Sequence, residues 1–330
     1  MRHGDVIDPN AYDSTEASYG GPNETLRTGD VALHLLPPGS GFDFATMTPS
    51  QAGAPIAKPD LGIRTYPIST APAAGPLYLA GGIVDDPAGL VGDAFVADAG
   101  GTAARIVVLA AGYAKTGDAQ TDAKAIAAAL APDVASVSWF ALDSRTKNSE
   151  AIGAINGATG IIVTGRDRSA VLAQLDASPA WDRALERWEA GLPLLADTAA
   201  AAAAGTTFVA QPPAADVEAG ATEDAIVRNV TIAEGLGLVS GLAVEPRLLP
   251  DQLWPQLFQI SKSPDDSWVG AGIDVGTAIR VDGTSATAIG DSAVVIVDGR
   301  DATWTIGTNG AIGAAWLLLD TFVDGDAVAP

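Results

Sequence analysis

The most constraining feature of the sequence is an apolar strand that runs directly into a row of alanines. Residues 191–198 read Gly-Leu-Pro-Leu-Leu-Ala-Asp-Thr, and Ala199–Ala204 follow at once. A strand followed by a strong helix former has the outline of a nucleophile elbow, in which a sharp turn lifts one side chain into a cleft. The tip of such a turn is usually a serine between glycines, whereas here it is Thr198, with Ala196 and Ala200 beside it. The sequence therefore predicts the turn without the nucleophile that such turns usually carry.

The charge of the chain narrows the range of partners. Forty acidic residues against 18 basic ones give a formal charge of −22, which repels phosphate backbones and anionic lipid headgroups. We therefore expect no nucleic acid and no membrane surface as a partner. No apolar stretch approaches the length of a transmembrane helix, about 18 residues. The first five residues begin no apolar signal region, so no signal peptide is expected and the localisation stays open.

The residue types that bind metals and cofactors are scarce. The chain has no cysteine, which excludes disulfides, thiolate catalysis and Cys-ligated metals. Its two histidines are His3 and His34, and the second lies in an apolar strand, where a structural role is expected. No EF-hand, P-loop or HExxH pattern occurs. We expect no metal and no cofactor.

The order of apolar runs predicts the fold class. Continuous apolar strands are predicted at residues 77–80, 106–110, 134–142, 160–165 and 192–196, and helices at 119–130, 149–155 and 169–190. Apolar strands separated by helices indicate a parallel sheet covered on both faces, hence a three-layer α/β/α domain. Shorter strands at 278–281, 286–289 and 293–297, separated by Asp-Gly and Gly-Asp turns, predict antiparallel strands added at the far edge of that sheet.

Composition also divides the chain into three parts. Residues 1–50 form an N-terminal extension, residues 51–76 have the Pro and Ala content of a linker, and residues 77–330 form the predicted domain. The apolar run 31–36 is predicted to be an ordered strand that is hydrogen-bonded into a sheet, with the linker running over the surface.

Five motifs, in this order, resemble the cyanophycinase and peptidase S51 family, which includes dipeptidase E and has a fold similar to class I glutamine amidotransferases. The five segments are Gly81-Gly82, Gly165-Arg166-Asp167-Arg168, Ala196-Asp197-Thr198-Ala199-Ala200-Ala201, the run Gly235-Leu236-Gly237-Leu238-Val239-Ser240-Gly241 leading to Glu245-Pro246-Arg247-Leu248, and Gly270-Ala271-Gly272-Ile273-Asp274-Val275. In the family these segments read as a glycine turn, G-G-[DN]-Q, G-T-S-A-G-A, G-L-G-L-x-x-G followed by D-Q-H-F, and G-I-G-I-D-E. The resemblance covers most of the chain between residues 77 and 297.

The mechanism that this resemblance implies is serine hydrolysis, and each of its roles falls on a substituted residue. The nucleophile position holds Thr198, the base position holds Arg247, and the carboxylate position holds Val275. An arginine stays protonated at physiological pH and accepts no proton. The resemblance therefore predicts a catalytically inactive relative with a structural, assembly or binding role. The alternative is a hydrolase of acidic or β-aspartyl peptides with a rearranged site that uses Thr198.

Three arginines lie at positions that the resemblance places around the cleft, namely Arg166, Arg168 and Arg247. The sequence leaves two roles open for these arginines. Either they bind an anionic ligand such as an acidic peptide, or they form ion pairs that fill an inactive site, with Asp167, Asp197 and Glu245 as partners. For Thr198 itself, a simpler role is that of a helix N-cap.

The N-terminal extension resembles the tail of an upstream copy of the same family. Residues 33–43 read Leu-His-Leu-Leu-Pro-Pro-Gly-Ser-Gly-Phe-Asp, close to the strand with which family members end. Residues 314–320 occupy the equivalent position at the C-terminal end of this chain. This similarity implies either a tandem family domain or a homo-oligomer as partner.

Overall fold

The computed structural model describes residues 5–8, 31–59, 65–84, 86–142, 148–209, 230–308 and 311–329, of which 5–8 as backbone only. Residues 1–4 and 9–30 of the predicted extension and 60–64 of the predicted linker lie outside the described residues. The strands are β1 Asp5–Asp8, β2 Val31–Leu35, β3 Ser40–Asp43, β4 Thr48–Gln51, β5 Ala54–Pro55, β6 Leu77–Ala80, β7 Arg105–Ala111, β8 Ser136–Ala141, β9 Gly160–Gly165, β10 Leu194–Thr198, β11 Thr207–Val209, β12 Ile232–Glu234, β13 Leu242–Pro246, β14 Val269–Ile273, β15 Thr277–Asp282, β16 Ser285–Gly290, β17 Val294–Asp298, β18 Thr303–Ile306, β19 Ile312–Phe322 and β20 Ala327–Ala329. The helices are α1 Leu90–Asp98, α2 Thr116–Leu130, α3 Asn148–Gly157, α4 Arg168–Asp176, α5 Pro179–Glu189, α6 Ala199–Ala204 and α7 Trp254–Ile260.

The first sheet confirms the predicted three-layer α/β/α arrangement. Its eight strands run in the order β20-β16-β15-β6-β10-β9-β7-β8, and the five from β6 to β8 are parallel. Successive residues of β9 face opposite cores: Ile161 and Val163 pack with α3 to α6, whereas Ile162 packs with α1 and α2. Strands buried on both faces need continuous apolar sequence, which is the pattern that predicted them.

The antiparallel hairpin predicted near the C-terminal end is present beside β6. Strands β15 and β16 pair antiparallel from Thr277↔Gly290 to Asp282↔Ser285, so two residues form the turn. Gly283 has φ +61° there, a left-handed conformation that suits a two-residue hairpin turn.

The third predicted C-terminal strand lies elsewhere. Strand β17 belongs to a second large sheet of order β1-β2-β19-β17-β14-β13, to which β18 is joined through β19. Placing residues 293–297 at the edge of the first sheet was therefore wrong. β17 is buried and pairs on one side with β14 and on the other with β19.

Helix α6 lies between the two sheets. All six alanines are buried, and the helix contacts β6, β9 and β10 of the first sheet and β13 of the second. Alanine side chains let the two sheets approach the same helix closely, since a larger side chain would need space that neither sheet leaves. Because α6 contacts both sheets, the turn that leads into it from β10 is supported on two sides.

The predicted helix 169–190 is two helices. α4 ends at Asp176 and α5 begins at Pro179, with Ser178 as its N-cap. Pro179 has no backbone N–H and its ring clashes with a preceding helical turn, so the chain breaks there and restarts. The Ser178 hydroxyl accepts a hydrogen bond from the Trp181 amide at 3.4 Å.

Residues 31–35 form the strand predicted for the N-terminal extension. β2 pairs with β1 and with β19, and Leu33 and Leu35 are buried in the core that α7 also contacts. His34 is fully buried, and its Nδ1 accepts a hydrogen bond from the Trp316 amide at 3.1 Å, which supports the structural role expected for it. The division of the chain into an extension, a linker and a domain stays a prediction.

The expected surface course of residues 51–76 was wrong in part. Strands β3, β4 and β5 form a small sheet at residues 40–55, but Tyr66 and Ile68 are buried in the largest apolar core. The Tyr66 hydroxyl bonds to the Asp320 carboxylate, and the Arg300 guanidinium lies 5.9 Å from the centre of the Tyr66 ring. Residues 65–70 therefore fasten the N-terminal part to the rest of the chain.

No helix in the described parts of the chain has both the length and the apolar character needed to cross a lipid bilayer.

Candidate functional site

The predicted elbow is present between β10 and α6. Thr198 ends β10 opposite Gly165 of β9 and has φ 52° and ψ −116°. A β-branched residue in this left-handed region carries backbone strain on the order of 1–3 kcal/mol, which the surrounding structure must hold in place. Both neighbouring strands and the buried α6 supply that support.

The hydroxyl of Thr198 bonds to the backbone. It lies within hydrogen-bond reach of the carbonyl oxygens of Gly165 and Asp197, the second at 2.8 Å. Thr198 occupies the N-cap position of α6, but its side chain accepts no hydrogen bond from that helix. The expected capping role was therefore wrong: the positive φ directs the side chain away from the first turn of α6.

The three positions to which the resemblance assigns nucleophile, base and carboxylate come together around Gly82, in the turn after β6. A methyl group built on Gly82 would lie 3.4 Å from Arg247 Nη1, 3.5 Å from Val275 Cγ2 and 3.6 Å from Thr198 Cγ2. The motifs thus converge in space although they are far apart in sequence. At this point the Thr198 side chain presents its methyl group rather than its hydroxyl.

Arg247 also has a strained backbone, with φ 59°, directly after β13. Its Nε donates to Asp251 Oδ2 at 3.0 Å, four residues along the chain. The expected partners Asp197 and Glu245 form no ion pair with it. Asp251, which lies in the turn after β13, was not predicted from the sequence as a partner of Arg247.

Arg166 and Arg168 lie in different surroundings although only one residue separates them. Arg166 is largely exposed, pairs with Asp122 of α2 at 3.2 Å, and lies 5.7 Å from the centre of the Tyr113 ring. Asp167, one of the three acids expected to pair with these arginines, instead caps α4, since its carboxylate accepts from the Ala170 amide at 2.7 Å. Its expected role as an ion-pair partner was therefore wrong.

Arg168 does not face the cleft, contrary to expectation. It is 4% exposed and pairs with Glu245, which is fully buried at the end of β13. Its Nη1 donates to Glu245 Oε2 and to the Val209 carbonyl, each at 3.1 Å. Burial raises the pKa of Glu245, and the charge of Arg168 opposes that rise. Both residues belong to the set expected to form ion pairs, although the sequence did not indicate which acid would pair with which arginine.

Asp197, just before the elbow, is a fully buried carboxylate. Burial raises its pKa to about 6, while hydrogen bonds from Thr164 and from the Ile83 amide and the charge of Arg247 act in the opposite direction. Thr164 Oγ1 donates to its Oδ2 at 2.8 Å and the Ile83 amide to its Oδ1 at 2.9 Å. Asp197 thus holds the turn after β6 against β9 and β10.

Tyr113 was not among the residues predicted from the sequence. It follows β7 at the carboxyl end of the parallel strands, where clefts form in sheets of this kind. Its hydroxyl is buried and has no hydrogen-bond partner among the described residues. Burial raises the pKa of Tyr113, so the phenol stays protonated. Its position directly after a predicted strand was the one available signal.

Comparisons with known proteins find proteins of similar sequence and of similar fold. No model of a known protein family matches the chain. A cyanophycinase of Synechococcus elongatus and one of Thermosynechococcus vestitus are each 28% identical to it over 187 residues. Each match covers 54% of this chain and 55% of the relative, so the aligned part spans about half the length of either protein.

A solved structure shares the fold. The crystal structure of a peptidase from an acI-B1 Actinobacterium superposes with a TM-score of 0.54 at 15% identity, covering 79% of this chain and 99% of that one. The two proteins therefore share their architecture across most of the described elements.

Proposed function

Because this chain is a peptidase S51-like protein related to the cyanophycinases, we propose that it is a catalytically inactive member of that group, kept as a structural, assembly or binding module. The observation that carries the proposal is the environment of Thr198. Its hydroxyl bonds to backbone carbonyls, while its methyl group, like the side chains of Arg247 and Val275, lies beside Gly82.

Acyl transfer by this fold needs a nucleophile, a base that removes its proton and a group that orients the base. Arg247 is positively charged and accepts no proton, and the valine side chain of Val275 forms no hydrogen bond. The three substituted positions, Thr198, Arg247 and Val275, all lie around Gly82. Since such residues act as a unit, the absence of base and orienting group leaves the hydroxyl without activation.

A rearranged hydrolase would need another base for Thr198, and the two buried carboxylates of these motifs, Asp197 and Glu245, are engaged elsewhere. Asp197 accepts hydrogen bonds from Thr164 and from the Ile83 amide, and Glu245 pairs with Arg168. This arrangement supports the inactive form over a rearranged hydrolase. The arginines likewise favour ion pairs over an anionic ligand, because each of the three has an acidic partner.

The first experiment measures hydrolysis of cyanophycin, of β-aspartyl dipeptides and of an activated ester by the purified full chain. We expect no turnover that distinguishes the wild type from Thr198→Ala, and no labelling by a serine-reactive fluorophosphonate. A rate that falls at least about tenfold in Thr198→Ala would show a working nucleophile and overturn the proposal.

A second experiment restores the residues that the resemblance calls for. Thr198→Ser, Arg247→His and Val275→Glu are combined with Ala196→Gly and Ala200→Gly to relieve the turn. We expect this variant to react with the fluorophosphonate, since the three positions already converge. The matched control carries Thr198→Ala in place of Thr198→Ser and should stay unlabelled.

A further inference from the structure

A cavity of about 390 Å³ lies beside the small sheet of β3, β4 and β5, and no residue of the elbow lines it. Its walls are residues 45–48, which lead from β3 into β4, Ala57 and Lys58 after β5, and Trp316 of β19. Cavities that bind small molecules have volumes of about 300–1,000 Å³ and combine apolar walls with a few polar groups. The volume and the lining of this cavity therefore fit a small organic molecule.

The tryptophan of the cavity is fixed in place by a β-bulge. The register between β19 and β2 shifts between Ala314 and Leu317, and Trp316 within that stretch has φ 67°. Its amide donates to His34 Nδ1 at 3.1 Å, and its indole Nε1 donates to the Ile56 carbonyl at 3.4 Å. Bulges of this kind re-aim a side chain next to a binding site. The indole is thus held beside the cavity before any ligand arrives.

Met47, which also lines the cavity, has a positive φ as well, at 52°. Non-glycine residues in this conformation are uncommon, and they cluster at ligand sites and active sites. Thr198 and Arg247 form one such pair beside the elbow, and Met47 and Trp316 form a second one beside the cavity. The backbone therefore marks this cavity in the same way as it marks the elbow.

Of the described residues that line the cavity, Lys58 is the only charged one. Its Nζ lies 5.6 Å from the centre of the Trp316 ring, and within the described part of the chain it forms no ion pair. The sequence has 40 acidic residues for 18 basic ones, so acidic partners are abundant elsewhere. An ammonium group without an acidic partner can bind a carboxylate through a charge-assisted hydrogen bond.

The acidic residue next to these walls does not neutralise Lys58. Asp43 accepts a hydrogen bond from the Ala45 amide at 2.8 Å, and this bond, together with one from Thr46, lowers the pKa of its carboxyl group. The charges that make up the total of −22 are spread over the whole chain, and salt screens them beyond about 8 Å at physiological ionic strength. Lys58 therefore sets the charge that a ligand meets inside the cavity.

We propose that this cavity binds a small aromatic carboxylate, with its carboxylate on the Lys58 ammonium and its ring against Trp316 and Met47. Aromatic rings and methionine sulfur make favourable contacts with an aromatic ligand, which selects a ring over an aliphatic chain. Phe44, directly before the lining residues, is 73% exposed and packs edge-on against Phe42, with ring centres 5.1 Å apart. It extends the aromatic surface toward solvent. The proposal does not depend on whether the elbow is active.

The first test titrates the purified full chain with 3-phenylpropionate by isothermal titration calorimetry. We expect one saturable site with a Kd of about 1 mM or lower. Lys58→Met keeps an apolar stem near the indole but removes the charge, and it should weaken binding at least about tenfold. The control Lys262→Met alters another lysine over a tryptophan, 6.0 Å from the centre of the Trp304 ring, and should bind like the wild type. No heat up to about 10 mM ligand, or equal binding by the wild type and Lys58→Met, would overturn the proposal.

The second test fills the cavity without touching the core. Ala57 is exposed, so Ala57→Trp should keep the melting temperature while its side chain occupies the space of the ligand and abolishes binding. The control Ala54→Trp changes an exposed alanine of β5 that does not line the cavity, and it should bind like the wild type. Binding by Ala57→Trp at wild-type strength, or its loss in both variants, would contradict this location.

Two matched probes test the ligand class. The neutral 3-phenylpropanamide lacks the carboxylate, and 3-cyclohexylpropionate keeps the charge but replaces the aromatic ring by a saturated one. We expect the amide to bind at least about tenfold more weakly than 3-phenylpropionate, and the saturated acid at least about threefold more weakly. Equal binding of the amide would overturn the role of Lys58, and equal binding of the saturated acid would overturn the preference for an aromatic ring.

Discussion

At the scale of single residues, Asp197 shows how the site is held together. Its carboxylate ties the turn after β6 to β9 while it lies fully buried beneath the elbow. Burial raises its pKa from 3.8 to about 6, so the folded protein binds this proton more tightly than the unfolded chain does. The free energy of unfolding that this group contributes is therefore largest below pH 4 and is lost as the pH rises through 6.

Asp197→Asn should remove the contribution of this residue to the pH dependence of the free energy of unfolding. The asparagine side chain can still accept a hydrogen bond from the Ile83 amide and donate one to Thr164, but it does not titrate. Between pH 4 and pH 7 the wild type should lose on the order of 2–3 kcal/mol relative to the variant, measured by urea unfolding at each pH. The control Asp251→Asn removes an exposed carboxylate and should keep the wild-type slope. Parallel slopes for wild type and Asp197→Asn would contradict the assignment.

The buried pair of Arg168 and Glu245 gives a second prediction at this scale. Arg168→Met leaves the Glu245 carboxylate buried without its partner, so the free energy of unfolding should fall by about 3–5 kcal/mol. The double variant Arg168→Met/Glu245→Leu should recover most of that loss, because no charge is then left uncompensated. Chemical denaturation of the wild type, both single variants and the double variant provides the measurement. A double variant as unstable as the sum of the single ones would show that the pair acts through packing alone.

The sequence predicted the positions of the site better than its contacts. The convergence of Thr198, Arg247 and Val275 followed from the motifs, because each lies in a recognisable segment. The acids that pair with Arg166 and Arg247 could not be predicted from the motifs. Asp122 comes from a helix on the other side of the first sheet, and Asp251 comes from an irregular turn. No local pattern marks such a partner.

At the scale of elements, the parallel strands were predictable and their assignment to sheets was not. A strand buried on both faces has the same continuous apolar sequence in either sheet, so residues 294–298 gave no signal of belonging to the second one. Helix α7 was missed because it is only seven residues long and follows an irregular stretch. The break at Pro179 was visible in the sequence, but the helical spacing continued across it.

At the scale of the whole molecule, the N-terminal part is integral to the second sheet. Deleting residues 1–36 removes β2 and leaves one side of β19 unpaired, and burial of Leu33 and Leu35 alone stabilises the fold by about 1.5–3 kcal/mol each. We expect the melting temperature to fall by several degrees or the chain to aggregate. Deleting residues 1–30 keeps β2 and serves as the control. An unchanged melting temperature after the longer deletion would show that the sheet does not need β2.

The burial of α6 between two sheets makes it a spacer as well as the base of the elbow. Side chains enlarged by even one methylene at the buried alanines of α6 would push on the strands that the helix contacts, which include β10 of the first sheet and β13 of the second. Those two strands carry Thr198 and the approach to Arg247. The separation between the nucleophile and base positions is therefore set by the width of an alanine helix, and mutations that look conservative in α6 would change the cleft without touching any residue that lines it.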